Sequence, residues 1–381
     1  MKKFILHTGC FLLLVFSNAC SDNVTTVPGE SPFICEIHPD IAFSSYDNLS
    51  VCNGSGNTTF LTLYDKKNRA QLFFDDKGKE LYRVPLSFPD SLNNDHTRIS
   101  TLAIGPDSIL VCPMSEGKSV FLFNGKGKLL KTISSAVSLS DGISDYVLLA
   151  LPQSPMLFDG EKILAVCTRL DVVLRSREDR KKYFSTPPYI LLSATNPAES
   201  VNAGYWPEEY RAGKSFRDFY PQHCVNNHKQ IVFGFASSDS LFVMKNGKIA
   251  EAHSCKSRYM TERHAFPDDS IGHFSFLNRY EVNEPRYLSL VYDPYRHCYY
   301  RIVHHAMKFE NENGMTTNTF LDKPWSFMIL DENFKLIGEK QMDAQRFLPG
   351  IFPVKDGLLV LQRKETNGVP PLRFTLFKFQ S

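Results

Sequence analysis

A hairpin that recurs along the chain constrains its fold more than any other feature. Four copies are present, AQLFFDDKGKELYRV from Ala70, SVFLFNGKGKLLKTI from Ser119, SLFVMKNGKIAEAH from Ser240 and SFMILDENFKLIGEK from Ser326. Each copy has an apolar strand, an acidic or amide turn, and a second strand that opens with lysine. Three turns contain a glycine, which reaches positive φ without a Cβ clash. In the fourth, Phe334 stands at the glycine position, and we expect Asn333 to adopt the left-handed conformation.

A second kind of hairpin alternates with the first. Its copies begin at Ile99, Pro155, His223, Tyr287 and Phe347. Together the two kinds form units of four short strands spaced about 45–60 residues apart, a period typical of propellers or solenoids. No long segment has helical periodicity, so we expect strands throughout.

Six such units account for the chain, near 49–84, 99–133, 155–206, 222–252, 286–341 and 346–379. The last unit has only three strands of its own, and the segment FICEIH from Phe33 is free to supply the fourth. We therefore predict an all-β fold, a six-bladed β-propeller in which the segment around Phe33–His38 pairs with Phe374–Phe379. Closure in this way removes the open sheet edge. Seven blades stay an alternative.

The N-terminus has the three-part layout of a secretory signal. Lys2 and Lys3 precede an apolar stretch from Phe4 to Phe16, which is too short to cross a bilayer, and small or polar residues lead to Cys20. Ala19 followed by Cys20 resembles the lipobox of bacterial lipoproteins, in which the cysteine thiol is acylated. Ser17 departs from the usual branched aliphatic residue, so plain secretion or an uncleaved anchor remains an alternative.

These features divide the chain into three parts. Residues 1–19 are the predicted signal peptide, residues 20–31 a lipidated N-terminus and flexible tether, and residues 32–381 a single propeller domain. The predicted location is outside the cytoplasm, with a lipid anchor in the outer membrane; whether the domain lies on the periplasmic or the surface side stays open. Two acyl chains on one residue are enough for stable anchoring, so the membrane is a predicted partner.

Charge and cysteine usage exclude several other classes of protein. Residues 1–19 carry two lysines and no acidic residue, so their removal lowers the formal charge from +2 to 0. A neutral chain gives no reason to expect nucleic-acid binding. Seven cysteines follow Cys20, an odd number without a CxxC pair. We therefore expect buried free thiols instead of a disulfide framework or a zinc site.

The long connections indicate which face of the ring binds a partner. They span residues 85–98, 134–154, 207–221 and 253–285 between units, and 169–187 and 304–325 inside units. In a closed ring of antiparallel blades these connections emerge on one face, and long loops are usually functional. The mixed-charge run from Arg175 to Lys182 is expected to be a solvated part of one such loop.

Basic and amide residues just before the first strand of each unit are the candidate ligand-binding residues of the channel mouth. They are His96, Arg98, Gln153, Gln222, His223, Arg286 and Arg346. The basic side chains there would favour an anionic group on a ligand, such as a carboxylate or sulfate of a glycan. The structural alternative is that each arginine pairs with a neighbouring acid and ties down a loop.

Catalytic signatures are missing from the sequence. We find no HExxH, GxSxG or GxxxxGK[ST] motif and no EF-hand loop, and we assign no catalytic residue, metal ligand or cofactor. The sequence favours a non-catalytic binding or scaffold module of the cell envelope, with a glycan or an envelope protein as partner. The alternative is a glycan-active lyase or hydrolase that uses carboxylates and histidines at the channel mouth.

The repeated "FD..GK.L" and "DG..ILAV" hairpins, the lipobox-like Cys20 and the chain length together resemble one family. It comprises the uncharacterised lipoproteins of the Bacteroidota that carry a six-bladed, TolB-like β-propeller. The resemblance spans nearly all of the chain after Cys20 and implies a propeller of the cell envelope. It implies no catalytic residues.

Overall fold

The computed structural model describes residues 27–37, 49–53, 59–89, 98–114, 117–139, 142, 145–151, 153–271, 273–310, 317–363 and 372–379. The strands of these residues form six antiparallel sheets, and each sheet is one blade of a propeller. First strands of neighbouring blades contact each other around the ring, as β2 (Ser50–Asn53) does with β6 (Ile99–Gly105). The predicted six-bladed β-propeller is confirmed.

The strands of the first three blades are as follows, from the first strand of each blade to the last. Blade 1 has β2, β3 (Thr59–Asp65), β4 (Ala70–Phe74) and β5 (Glu80–Pro85). Blade 2 has β6, β7 (Ser108–Pro113), β8 (Ser119–Asn124) and β9 (Leu129–Ser134). Blade 3 has β10 (Tyr146–Leu149), β11 (Leu157–Phe158), β12 (Lys162–Arg169), β13 (Tyr189–Ser193) and β14 (Val201–Ala203).

The other three blades follow the same order. Blade 4 has β15 (Gln222–Val225), β16 (Ile231–Gly234), β17 (Ser240–Lys245) and β18 (Lys248–Ser254). Blade 5 has β19 (Arg286–Asp293), β20 (Cys298–His304), β21 (Trp325–Asp331) and β22 (Leu336–Met342). Blade 6 has β23 (Phe347–Val354), β24 (Gly357–Gln362), β25 (Leu372–Lys378) and, as its last strand, β1 (Gly29–Ile37).

The N-terminal strand closes the ring as predicted. β1 pairs antiparallel with β25, with Gly29 opposite Lys378, Cys35 opposite Phe374 and Ile37 opposite Leu372. The strand begins at Gly29, so the last three residues of the predicted tether belong to it. The two ends of the chain are thus held in one blade, and the sheet that would otherwise end at β25 gains its fourth strand.

The hydrophobic core is divided among the interfaces between blades. Each pair of neighbouring blades encloses one cluster of buried side chains among the described residues. Between blades 6 and 1, for example, Ile37 and Phe374 pack with Leu61 and Leu72. A blade buries both of its faces in this way, which explains why so many strands are buried along their whole length, as β13 and β20 are.

Two parts of the chain differ from the expected arrangement. In blade 3 the position of the first strand is shared by β10 and β11, which both pair with β12, so part of the connection predicted at 134–154 is a strand. Among the described residues, three helices also lie in the long connections: α1 (Arg177–Phe184), α2 (Glu208–Arg211) and α3 (Phe274–Asn283). In the described residues, no helix is long and apolar enough to span a membrane.

The run from Arg175 to Lys182 is mostly exposed, as expected, but the expectation of a loop is wrong because most of the run is helical. Ser176 and Asp179 form a capping box, in which the Ser176 hydroxyl accepts a hydrogen bond from the Asp179 amide at 3.0 Å and the Asp179 carboxylate accepts one from the Ser176 amide at 3.2 Å. Arg180 is buried, and its Nε donates to the Gly213 carbonyl at 2.7 Å. The cap and this buried arginine make the charged run a helix packed on its neighbours.

Cysteine burial agrees with the sequence. The seven cysteines from Cys35 to Cys298 are all buried free thiols. Burial raises the pKa of Cys112 and of Cys167 to about 12. These thiols therefore stay protonated at neutral pH and act as small apolar side chains.

Candidate functional site

A small, partly open cavity with a free volume of about 20 Å³ lies on the face of the long connections, between blades 4 and 5. Its walls come from the connection before β15, the turn after β16 and the connection that contains α3. The first and last of these walls are connections between blades, and the turn after β16 joins the second and third strands of blade 4. The ring topology was expected to place both kinds of connection on the same face. The polar side chains that line the cavity are Arg217, Asp218, Ser237, Arg263, Glu281, Glu284 and Arg286.

Of the ligand-binding residues predicted from the sequence, Arg286 lines this cavity. It lies at the start of β19. Its Nη1 donates to the Asp218 carboxylate, and its guanidinium lies over the Phe320 ring, 4.5 Å from the ring centroid. The side chain is only 11% exposed. Burial, assisted by the neighbouring Arg217 guanidinium, lowers the pKa of Arg286 to about 10. The residue therefore remains charged at neutral pH.

The other charged groups of the cavity are paired as well. Arg217 Nε donates to Glu281 at 2.7 Å, and Arg263 donates to the Ala236 carbonyl at 2.9 Å. Glu284 accepts hydrogen bonds from the amide and the ring of His264. Three arginines and three acids line the cavity, so their formal charges cancel. The cavity has no excess positive charge that would attract an anion from a distance.

Two buried polar atoms at the cavity have no hydrogen-bond partner among the described residues. They are the Ser237 hydroxyl and Nε of Arg286. Ser237 is 6% exposed and lies beside the hydroxyl of Tyr210, which is also buried. An unpaired buried polar group costs about 1–3 kcal/mol, and native structures contain few of them.

Lys323 supports the wall formed by α3. Its Nζ donates to the carbonyls of Glu281 and Glu284, at 2.7 and 2.6 Å, and so satisfies the C-terminal end of the helix. The residue is 1% exposed. Burial, reinforced by the Arg286 guanidinium, lowers the pKa of Lys323 to about 7.

Two of the candidate residues predicted at the channel mouth are buried in the walls between blades. Gln222 is 2% exposed and donates to the Tyr287 carbonyl at 2.6 Å, which places it beside Arg286. His223 is also buried and faces the opposite way, towards Tyr189 and the carbonyl of Pro155 in blade 3. Both side chains join neighbouring blades.

The other predicted residues lie elsewhere. Arg98 is exposed beside blade 2, where its carbonyl accepts the Met114 amide. Gln153 lies in a turn closed by a bridge between Leu151 and Ser154. Arg346 pairs with Glu30 of the last strand of blade 6 at 2.6 Å. Cys20 and His96 are outside the described residues, and convergence of the remaining residues on one mouth stays a prediction.

The cavity residues that the sequence analysis missed share one property. Ser237, Arg217, Asp218 and Arg263 lie inside the connections, whereas the prediction considered only positions directly before a first strand. The available signal was the density of charged residues in the two connections 207–221 and 253–285. Within the part of the chain that the structure covers, no group of three histidines, cysteines or acids is placed to hold a metal ion.

Part of the sequence matches a known family model. Residues 203–341 match the family described as "Domain of unknown function (DUF4221)". This stretch runs from the end of blade 3 to the last strand of blade 5 and contains all the residues that line the cavity. A search of curated proteins found no match.

Solved structures share the fold. A member of the DUF4221 family from Bacteroides vulgatus superposes with a TM-score of 0.71 at 18% identity, over 92% of this chain and 97% of that chain. A Bacteroides fragilis protein whose name suggests export superposes with a TM-score of 0.48 at 10% identity, over 93% of this chain and 98% of that chain. A luciferin-regenerating enzyme superposes with a TM-score of 0.45 at 8% identity, over 92% of this chain and 98% of that chain. The chain therefore has the propeller fold of a Bacteroides protein of the DUF4221 family, and residues 203–341 match that family's sequence model.

Proposed function

We propose that this chain is an exported, lipid-anchored propeller that binds a ligand with an anionic group in the cavity between blades 4 and 5, without catalysing a reaction. The observation that carries the proposal is the pair of unpartnered buried atoms at the cavity, the Ser237 hydroxyl and Arg286 Nε. Both atoms can donate a hydrogen bond, and a ligand oxygen with negative charge is the strongest acceptor for them.

The size of the cavity limits the ligand. Its free volume is about 20 Å³, enough for about one water molecule, so the cavity admits only the anionic group of a ligand and the rest of the ligand would lie over its open side. Hydroxyl groups of a sugar would match the paired arginines and acids of the wall, because those groups offer both donors and acceptors. An acidic saccharide combines the hydroxyls and the anionic group.

Calorimetric titration of the purified mature chain with D-glucuronate and with D-glucose tests the proposal. We expect binding of glucuronate, and Ser237→Ala should weaken it by about ten-fold, since one hydrogen bond to a charged group is lost. The exposed Ser254 at the end of β18 provides a matched control, and Ser254→Ala should leave the affinity unchanged. Equal affinities for Ser237→Ala and the unsubstituted chain would refute the site.

The envelope location is a separate part of the proposal. It is supported by the signal-like residues 1–19 and by Cys20 after Ala19. Because Cys20 is the cysteine that directly follows the signal-like segment, Cys20→Ala should abolish acylation. Metabolic labelling with a fatty-acid probe measures this, and Cys35→Ala, which removes a buried thiol, is the control that should keep the label.

A further inference from the structure

We infer that Arg301 is a positioning residue of this site, and that its guanidinium holds the turn 235–239 in the place that brings Ser237 to the cavity. The inference rests on the proposed function, because the Ser237 hydroxyl is one of the donors that the proposal assigns to the ligand. Arg301 lies in β20 of blade 5 and does not line the cavity, whereas the turn belongs to blade 4.

The turn 235–239 has few internal contacts to fix its shape. It joins β16 to β17, and the Ser238 amide donates to the Phe235 carbonyl at 3.2 Å across it. Ala236 and Ser237 are the two residues enclosed by this bond, and both line the cavity. Carbonyls that the turn does not satisfy itself need donors from elsewhere.

Arg301 provides such donors from the neighbouring blade. Its Nη2 donates to the carbonyls of Ser238 and Phe235, at 2.7 and 3.4 Å. Its Nη1 donates to the Asp239 carbonyl at 3.2 Å. These carbonyls lie before and after Ser237 in the chain, so one side chain fixes both arms of the turn.

The guanidinium itself is held firmly. Arg301 is 0% exposed, and the centre of its guanidinium lies 3.4 Å from the centroid of the Tyr287 ring. A Cβ at Gly234, the last residue of β16, would lie 3.0 Å from Nη2 of Arg301. The glycine before the turn therefore leaves the room that this close approach needs.

The kind of partner that Arg301 has also indicates its role. Among the described residues its hydrogen-bond acceptors are all backbone carbonyls, and none is a carboxylate. Burial lowers the pKa of Arg301 to about 10, so the side chain stays charged at neutral pH. Burying a cation costs free energy, and an apolar side chain of similar size would avoid that cost. What the guanidinium adds is a fixed arrangement of the turn carbonyls.

Calorimetric titration of Arg301→Ala, Ser237→Ala and the double variant with D-glucuronate tests the inference. We expect Arg301→Ala to weaken binding by about ten-fold, as Ser237→Ala does, because it acts through the same hydroxyl. The double variant should bind no more weakly than either single variant, since the effects of coupled residues do not add. Dilute guanidinium chloride should restore the affinity of Arg301→Ala but not of Ser237→Ala, and sodium chloride at the same concentration is the control.

Arg301→Lys is the second variant, which keeps the charge if Arg301→Ala does not fold. One ammonium group cannot replace the planar fork of a guanidinium at carbonyls on both arms of the turn. Hydrogen exchange of the Ser238 amide, which closes the turn, should therefore be faster in Arg301→Lys. It should not change in Arg169→Lys, which alters a buried arginine of blade 3 that pairs with Asp171.

The outcomes separate the two proposals. If the Arg301 variants bind glucuronate as tightly as the unsubstituted chain, or if the losses from Arg301→Ala and Ser237→Ala add, the inference is wrong and the proposed function stands. If the unsubstituted chain does not bind glucuronate, the proposed function fails, and hydrogen exchange decides whether Arg301 positions the turn. Faster exchange of the Ser238 amide in Arg301→Lys supports this role, and unchanged exchange contradicts it.

Discussion

At the scale of single residues, burial decides the behaviour of the ionisable groups. His223 was predicted as a ligand-binding residue because it precedes a first strand and is basic. In the structure it is 2% exposed, and its ring lies between the Tyr189 hydroxyl and the Pro155 carbonyl. Burial lowers the pKa of His223 to about 4, opposed by the hydrogen bond to Pro155. The side chain is therefore neutral at physiological pH and contributes no charge to a ligand.

This low pKa predicts a pH-dependent stability. The folded pKa lies below the value of about 6.5 for an unfolded chain, so the unfolded state takes up the proton first and stability is lost as the pH falls from about 6.5 to about 4. His223→Gln removes this contribution. We expect the loss of unfolding free energy between pH 7 and pH 4.5 to be smaller in the variant by about 2–3 kcal/mol. Urea denaturation at the two pH values measures it, and an identical pH dependence would show that His223 titrates normally.

At the scale of elements, the repeated hairpin turns depend on close approach between blades as well as on positive φ. Gly127 has φ +72°, and its carbonyl accepts the Ser87 amide just beyond the last strand of blade 1. A Cβ at Gly127 would lie 1.6 Å from the Pro85 carbonyl oxygen. In blade 5, Phe334 itself has φ 64°, so the expectation that Asn333 takes this role is wrong. Its ring stacks on Tyr299, with ring centroids 5.0 Å apart, and this buried contact offsets the strained backbone.

The close approach predicts unequal effects for two turn glycines. Gly127→Ala should destabilise the protein by about 3 kcal/mol or more, because the methyl group clashes with backbone and the left-handed conformation is strained. Gly160 also has positive φ, but a Cβ there would have no neighbour within 4 Å. Gly160→Ala should therefore cost only the conformational strain, about 1–2 kcal/mol. Chemical denaturation of both variants measures the difference, and equal losses would show that φ alone matters.

At the scale of the whole molecule, stability depends on the interfaces between blades and on closure by β1. The strand contributes Cys35 and Ile37 to the core between blades 6 and 1, while Ile34 of the same strand is 50% exposed. An N-terminal strand in the last blade joins the two ends of the chain, so the ring opens only when this pairing is lost.

Two isoleucines of β1 provide a matched test of closure. Ile37→Ala should lower the free energy of unfolding by about 3 kcal/mol, as expected for a large-to-small change in a packed core. Ile34→Ala, the same change on the exposed face, should cost less than about 1 kcal/mol. Thermal and chemical denaturation compare the two, and equal small effects would mean that β1 is not part of the folded core in solution.

The sequence by itself predicted the blades, with six as the favoured number and seven as the alternative. Alternating apolar residues and turn residues such as Gly78 and Gly247 act within a few positions, so each hairpin could be recognised locally. Closure could also be predicted, because one unit lacked a strand and one apolar segment near Phe33 was unassigned. Helix α1 was missed because its capping box is only one turn long and the run that follows Ser176 is mostly charged.

Only the tertiary structure decided the candidate site. Arg286 and Asp218 are separated by 68 positions, and their pairing depends on the paths of two connections that carry no repeating pattern. Burial of His223 and Gln222 depends on the neighbouring blade, which the residues around them do not reveal. Local periodicity specifies strands because hydrogen bonding in a hairpin is local, whereas ion pairs and cavities form between segments that only the ring brings together.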